Sequence, residues 1–192
     1  MHCPRYQVVR LRDGREVKLR EIEPEDAGEI VEAFERLSAE SRYSRFMQYK
    51  DELDADALAR GVHPRPGLDF VLVATTPAPD GIDIVGAAQY VPAHSGDARV
   101  CEFAVTVAED WRSNGLATEL VSQLLRRAPR DGYGTIEGWV LASNAPMLAL
   151  VRELGFHTDG ADEPGVVRAW RKLQAGPLPG GARPNGSEAD SS

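Results

Sequence analysis

The residues with the most chemical content lie between Glu102 and Thr118. Arg112, Gly115 and Ala117 stand at the spacing Arg-x-x-Gly-x-Ala, in RSNGLAT, where a strand ending at Val107 gives way to a helix. Such a turn leaves backbone N–H groups without carbonyl partners at the positive end of a helix dipole, which suits an anion. Gly115 permits close approach or unusual backbone angles, and Ala117 is too small to obstruct a phosphate. Alone, so short a pattern also fits an ordinary turn in which Gly115 makes a bend. It lacks the three glycines of a dinucleotide fingerprint and the Gly-Lys-Ser/Thr ending of a Walker loop.

Glu102 is the second such residue. Along RVCEFAVTV, Cys101, Phe103, Val105 and Val107 point one way and Val100, Glu102, Ala104 and Thr106 the other. A carboxylate in so apolar a strand is costly to bury unless it is paired or faces a cleft. Two readings follow: a structural ion pair with an arginine of the Arg42–Arg45 segment, or a proton acceptor. Glu109 and Asp110 read as strand-end or turn carboxylates. The four histidines are scattered and show no metal spacing, so no metal is expected.

These residues need a frame. Glu16–Ile22 alternates as a strand after an Asp13-Gly14 turn, and Pro24, Glu25 and Asp26 open a helix whose Ala27, Ile30, Val31, Phe34 and Leu37 share a face. Shorter helices are expected over Ser38–Met47 and Ala55–Arg60. Strands follow at Asp69–Thr75, Asp83–Val91 and Arg99–Val107, joined by turn-forming segments as an antiparallel meander. From Gly115 the period becomes helical, and the helix stops before Pro129. Thr135–Ala142 reads as a strand, Asn144 caps a helix ending at Gly155, and strands at Phe156–Thr158 and Val166–Leu173 close the pattern. The expected fold is α/β: one mixed sheet of about seven strands with helices on both faces. The helix-linked strands on either side of Gly115 are expected to be parallel. From residue 174 the chain is too polar and Gly/Pro-rich to offset its ordering entropy, so 174–192 is expected to be a disordered tail.

Composition narrows the function. A net charge of −8 over 192 residues argues against a nucleic-acid binder and suits cationic acceptors such as amines or lysine-bearing proteins. Two cysteines make neither a disulfide framework nor a metal cluster, and no stretch is long enough to span a bilayer. No membrane partner and a cytoplasmic location are therefore expected.

With the elements in place, RSNGLA followed by Asn144 and Leu154-Gly155-Phe156 resembles the GNAT superfamily of N-acetyltransferases, over residues 7–173. The segments LRDGREVKLREIEPEDA, LSAESRYSRF and CEFAVTV are similar to the acetyltransferase domain of Pat-type protein lysine acetyltransferases. The chain shows neither the acyl-CoA-synthetase-like portion nor the cyclic-nucleotide domain of some of those proteins.

The resemblance implies that 7–173 is an N-acetyltransferase domain using acetyl-CoA as co-substrate. Its pyrophosphate would lie on Arg112, Ser113, Asn114, Gly115, Leu116, Ala117 and Thr118, and its pantetheine arm on the backbone of Val105, Thr106 and Val107. Asn144 would contact the arm, cap the helix, or do both. Glu102 becomes the expected general base, since lysine is mostly protonated near neutral pH. Many members carry a tyrosine seven residues after the Asn to protonate the departing thiolate. Here that position is Val151, so water, Ser143 or no dedicated acid serves. The RYSRF cluster either lines the acceptor entrance or packs Tyr43 and Phe46 inward with solvated arginines. Protein lysine is the favoured acceptor; a small-molecule amine, or a non-catalytic acyl-CoA-binding regulatory role, are the alternatives. The patterns leave the oligomeric state open.

Overall fold

The computed structural model describes residues 6–46, 54–79 and 81–174, with the side chains of residues 43–46 outside that set. Eight strands form one sheet: β1 (Tyr6–Arg10), β2 (Glu16–Glu21), β3 (Phe70–Ala78), β4 (Gly81–Pro92), β5 (Val100–Val107), β6 (Thr135–Leu141), β7 (His157–Gly160) and β8 (Val166–Lys172). Their order is β1-β2-β3-β4-β5-β6-β8-β7. The β5–β6 pair is parallel and the others are antiparallel. The helices are α1 (Ala27–Glu35), α2 (Ala39–Phe46), α3 (Ala55–Gly61), α4 (Leu116–Arg127) and α5 (Ala145–Glu153).

The mixed sheet and its parallel step across α4 agree with the pattern read from sequence. The eighth strand, β1, is the addition. Tyr6 and Val8 are exposed and only Val9 is half-buried, so this edge strand has no buried face to print an alternation into the sequence. The expected tail from residue 175, Met47 and the packing of Tyr43 and Phe46 lie outside what is described. Among the described residues no helix is long and apolar enough to cross a membrane.

Two apolar layers sandwich the sheet. In β3 the run FVLVAT is buried at every position, as a strand covered on both faces must be. On one face α4 buries Leu116, Leu120, Val121 and Leu124 completely, each contributing roughly 1.5–3 kcal/mol. The helix packs tightly over Gly86, where a Cβ would stand 3.1 Å from Leu120 and 3.2 Å from Leu116. On the other face Ile30, Ala33 and Leu58 of α1 and α3 pack against Val71, Val73 and Ile84.

The β2-to-α1 connection is locked electrostatically. Asp26 is buried, accepts from Arg20 Nη1 and Nη2 at 2.7 Å each and accepts the Glu23 N–H at 2.8 Å. Burial pushes its carboxyl up, but the Arg20 hydrogen bonds, the Glu23 N–H and the Arg20 charge outweigh it and hold the carboxyl below its ordinary range.

Candidate active site

The parallel ladder between β5 and β6 has only three rungs: Val100–Thr135, Cys101–Ile136 and Glu102–Glu137. β5 stays paired to β4 as far as Val107, so beyond Glu102 the β6-facing edge of β5 loses its ladder partners. Phe103 props the fork open. A Cβ on Gly138 of β6 would fall 2.6 Å from the Phe103 ring, so only glycine fits there, and Phe156 backs that ring with centroids 5.2 Å apart. The resulting cleft of about 1030 Å³ runs between β5 and the start of α4 on one wall and β6, α5 and the β7–β8 turn on the other.

The loop into α4 forms one end of the cleft. Gly115 has φ of +93° and is the last residue before the helix, so a side chain there would be strained. Ser113, at φ +61°, also takes a left-handed conformation. The first helical hydrogen bond runs from Glu119 N–H to Gly115 C=O, 3.0 Å. The N–H groups of Ala117 and Thr118, both cleft residues, thus have no carbonyl within the helix to bond, the geometry an anion needs.

The loop is tied down from two sides. Arg112 donates to Ser41 Oγ at 2.7 Å and to Val107 C=O at 3.4 Å, which binds the loop to α2. Glu109 accepts from Ser38 N–H at 3.0 Å and Ser41 Oγ at 2.9 Å. Hydrogen bonds from Ser38 and Ser41, with the Arg112 charge behind them, bring the Glu109 carboxyl down to about 2. From the other side, Asn114 donates to Asp13 at 3.3 Å, Arg15 donates to the Asp110 carbonyl at 2.9 Å, and the Arg15 guanidinium lies 3.9 Å over Trp111.

At the fork the two facing carboxylates differ. Glu137 is buried and neutralised by Arg168, whose Nε lies at 2.8 Å. Glu102 is half-buried, lines the cleft, and has His94 Nδ1 at 3.3 Å from Oε2, on a ring 91% exposed. Arg42 turns toward the Leu37 and Glu35 carbonyls, at 3.1 and 2.9 Å. Cys101 is fully buried, and burial pushes its thiol up to about 12, which makes it a poor nucleophile.

Of the residues singled out from sequence, Glu102, Val105, Thr106 and Val107 of β5 line the cleft, as do Arg112, Ser113, Gly115, Ala117, Thr118 and Asn144. Asn114 and Leu116 are buried outside its lining. The Asn114 Oδ1 accepts the Leu116 N–H at 3.2 Å, so these two shape the loop from behind. Asn144 caps α5, accepting from Met147 N–H at 3.2 Å. Val151 is completely buried in the core, while Ser143 lines the cleft. Sequence reasoning passed over Arg12, Ser41 and Trp139, which also line it. Their neighbours come from elements far away in the chain; Arg12 and Ser41 fall inside the segments LRDGREV and LSAESRYSRF, but nothing in those patterns singles either residue out.

The sequence matches the acetyltransferase (GNAT) family over residues 30–156. It is 30% identical to an acetyltransferase of Pseudomonas aeruginosa across 151 residues, 79% of this chain and 80% of that one. Among solved structures, the GNAT domain of the S. lividans PAT superposes with a TM-score of 0.81 at 26% identity, covering 90% of this chain and 99% of that one. YncA of Salmonella typhimurium, solved with its cofactor acetyl-CoA, gives 0.67 at 20% identity over 86% of this chain and 99% of its own, a likeness of fold.

Proposed function

Because the chain belongs to the acetyltransferase (GNAT) family, we propose that it moves an acetyl group from acetyl-CoA to a primary amine, favouring a protein lysine, by direct attack with Glu102 as general base. The observation that carries this reading is the fork itself. It sets Glu102, which among the described residues pairs with the exposed His94 ring, in a cleft that also holds the free N–H groups of a helix start, an arrangement suited to a phosphate. In this reading residues 7–173 are the catalytic domain and the protein is cytoplasmic, in keeping with its sparse cysteines.

The roles follow from position. Backbone groups released at the β5 edge by the parting of β6 are suited to the amide groups of a pantetheine arm, and the loop before α4 to the pyrophosphate. The acceptor ammonium loses a proton to Glu102, directly or through water. The neutral nitrogen then adds to the thioester carbonyl, its second proton passes to water, and collapse of the tetrahedral adduct breaks the C–S bond and expels the thiolate of coenzyme A. Val151, apolar and buried, has no proton to give that thiolate; water or the cleft-lining Ser143 serves.

A cationic acceptor is favoured by Asp162, Glu163 and Glu102 along the cleft and by the net charge of −8. The likeness to the GNAT domain of the S. lividans PAT supports a protein lysine among such acceptors. Thiol release from acetyl-CoA is the first test, with protein lysates and with free amines as acceptors. Acetyl-lysine appearing on lysate proteins by mass spectrometry is the expected result. Turnover with small amines alone would replace the protein acceptor, and cofactor binding with no turnover on any amine would make the protein an acyl-CoA-binding regulator.

A further inference from the structure

Arg12 sits at the tip of the β1–β2 hairpin and reaches into the phosphate end of the cleft. Its backbone N–H donates to the Asn114 carbonyl at 3.0 Å, which ties the hairpin to the loop. Its side chain runs across Gly115: a Cβ there would meet Arg12 Nε at 3.4 Å and Cγ at 3.7 Å. Asp13, next to it, is already engaged by Arg15 at 2.7 Å and by Asn114. The Arg12 guanidinium lies 3.9 Å from Glu153 at the end of α5, on the opposite wall. Both side chains are mostly exposed, at 69% and 62%.

An exposed ion pair at that distance is worth little, whereas an arginine facing a phosphate makes charge-assisted and often paired hydrogen bonds. The guanidinium is thus placed beside the helix start that receives an anion and held by a partner it can readily leave. We propose that Arg12 is a phosphate ligand for coenzyme A, parked on Glu153 in the free protein and released from it when the cofactor binds. The proposal rests on the reading of the cleft as an acetyl-CoA site. It adds a residue from the N-terminal hairpin, outside the loop that the sequence pattern marks.

The test is calorimetric binding of coenzyme A and of dephospho-coenzyme A to the wild type, Arg12→Met, Arg12→Lys and Glu153→Gln, at several salt concentrations. Arg12→Met keeps the aliphatic stem over Gly115 and the backbone bond to Asn114. It is expected to weaken binding about five- to tenfold and to flatten the dependence of affinity on salt. Loss for both ligands assigns Arg12 to the pyrophosphate; loss for coenzyme A alone assigns it to the 3′-phosphate. Arg12→Lys, which keeps the charge without the fork, should fall in between, and it carries the test if Arg12→Met does not fold. Glu153→Gln should bind as tightly as the wild type or more so. Unchanged affinity in Arg12→Met, or a loss with the wild-type salt dependence, would overturn the proposal while leaving the cofactor reading intact. A wild-type protein that binds neither ligand would instead bring down the cofactor reading, and this proposal with it.

Discussion

On the loop side of the cleft, Arg112, Asn114 and Glu109 each have two partners within 3.4 Å, drawn from α2 and the Ser38 before it, the β1–β2 hairpin, the end of β5 and the first residue of α4. At the fork, Glu102 has the ring of His94 at 3.3 Å, itself almost wholly exposed. The same chain has therefore spent its side chains differently at the two places. A loop that must present N–H groups to a phosphate gains from being held before the ligand arrives, because ordering it on binding would cost affinity. A carboxylate that must accept a proton gains from the opposite. Several strong donors would stabilise its ionised form and make it a poor base. Glu137, one rung across from Glu102, shows that alternative: locked by Arg168, it serves the sheet.

The comparison breaks most sharply at Glu102. Glu102→Gln keeps shape and polarity but removes the proton acceptor, so kcat should fall roughly a hundredfold or more, the scale of general-base catalysis. Affinity for acetyl-CoA should stay near that of the wild type, because the loop is untouched. Steady-state kinetics with a parallel binding titration separates the two quantities. Wild-type turnover in the variant would mean that the fork carboxylate is not the base.

The complementary break is Gly115→Val. At φ +93° a β-branched residue is strained by about 1–3 kcal/mol, and its side chain would press on Arg12. The expected outcome is about a tenfold loss of acetyl-CoA affinity, read by calorimetry, with kcat at saturating cofactor changed far less. A variant with normal affinity and depressed kcat would reverse the roles assigned to the two ends.

What could be read from the sequence divides along a related line. The loop at Arg112, Gly115 and Ala117 was legible because the constraint on it is local: a turn into a helix, a positive φ and a small residue. The helix faces and the β3–β5 meander were legible because burial prints a period. β1 was not, since an edge strand with exposed Tyr6 and Val8 prints none. Nor was the bracing of the loop, because Ser41 lies 71 residues from Arg112 and Asp13 lies 101 from Asn114, and no local rule couples such pairs. Arg112 is the instructive case. Its position in the motif was plain, but its guanidinium bridges Ser41 and Val107, so in the free protein it shapes the loop.

The smallest effect, and the finest test of that bracing, is at Ser41. This hydroxyl joins Arg112 to Glu109, and it is one of the groups that bring the Glu109 carboxyl down from 4.5 to about 2. A depressed carboxyl contributes its clamp fully above its ordinary titration range and loses it as pH falls through the depressed value. In the wild type the Glu109 clamp should therefore be complete above 4.5 and fade as pH falls from there toward about 2. Ser41→Ala removes one donor and lets the Glu109 value rise, so its clamp should start to fail at higher pH. Affinity for coenzyme A is expected to drop about two- to threefold at neutral pH, the low end of what a single hydrogen bond is worth, since the lost bond acts on the cofactor only through the loop. The deficit relative to wild type should then widen below pH 5. Taking the ratio of the two affinities at each pH cancels the titration of the ligand's own phosphates. A ratio that stays flat from pH 7 to 4 would show that the α2 side of the loop does not bear on cofactor binding, and that the hairpin side alone holds it in place.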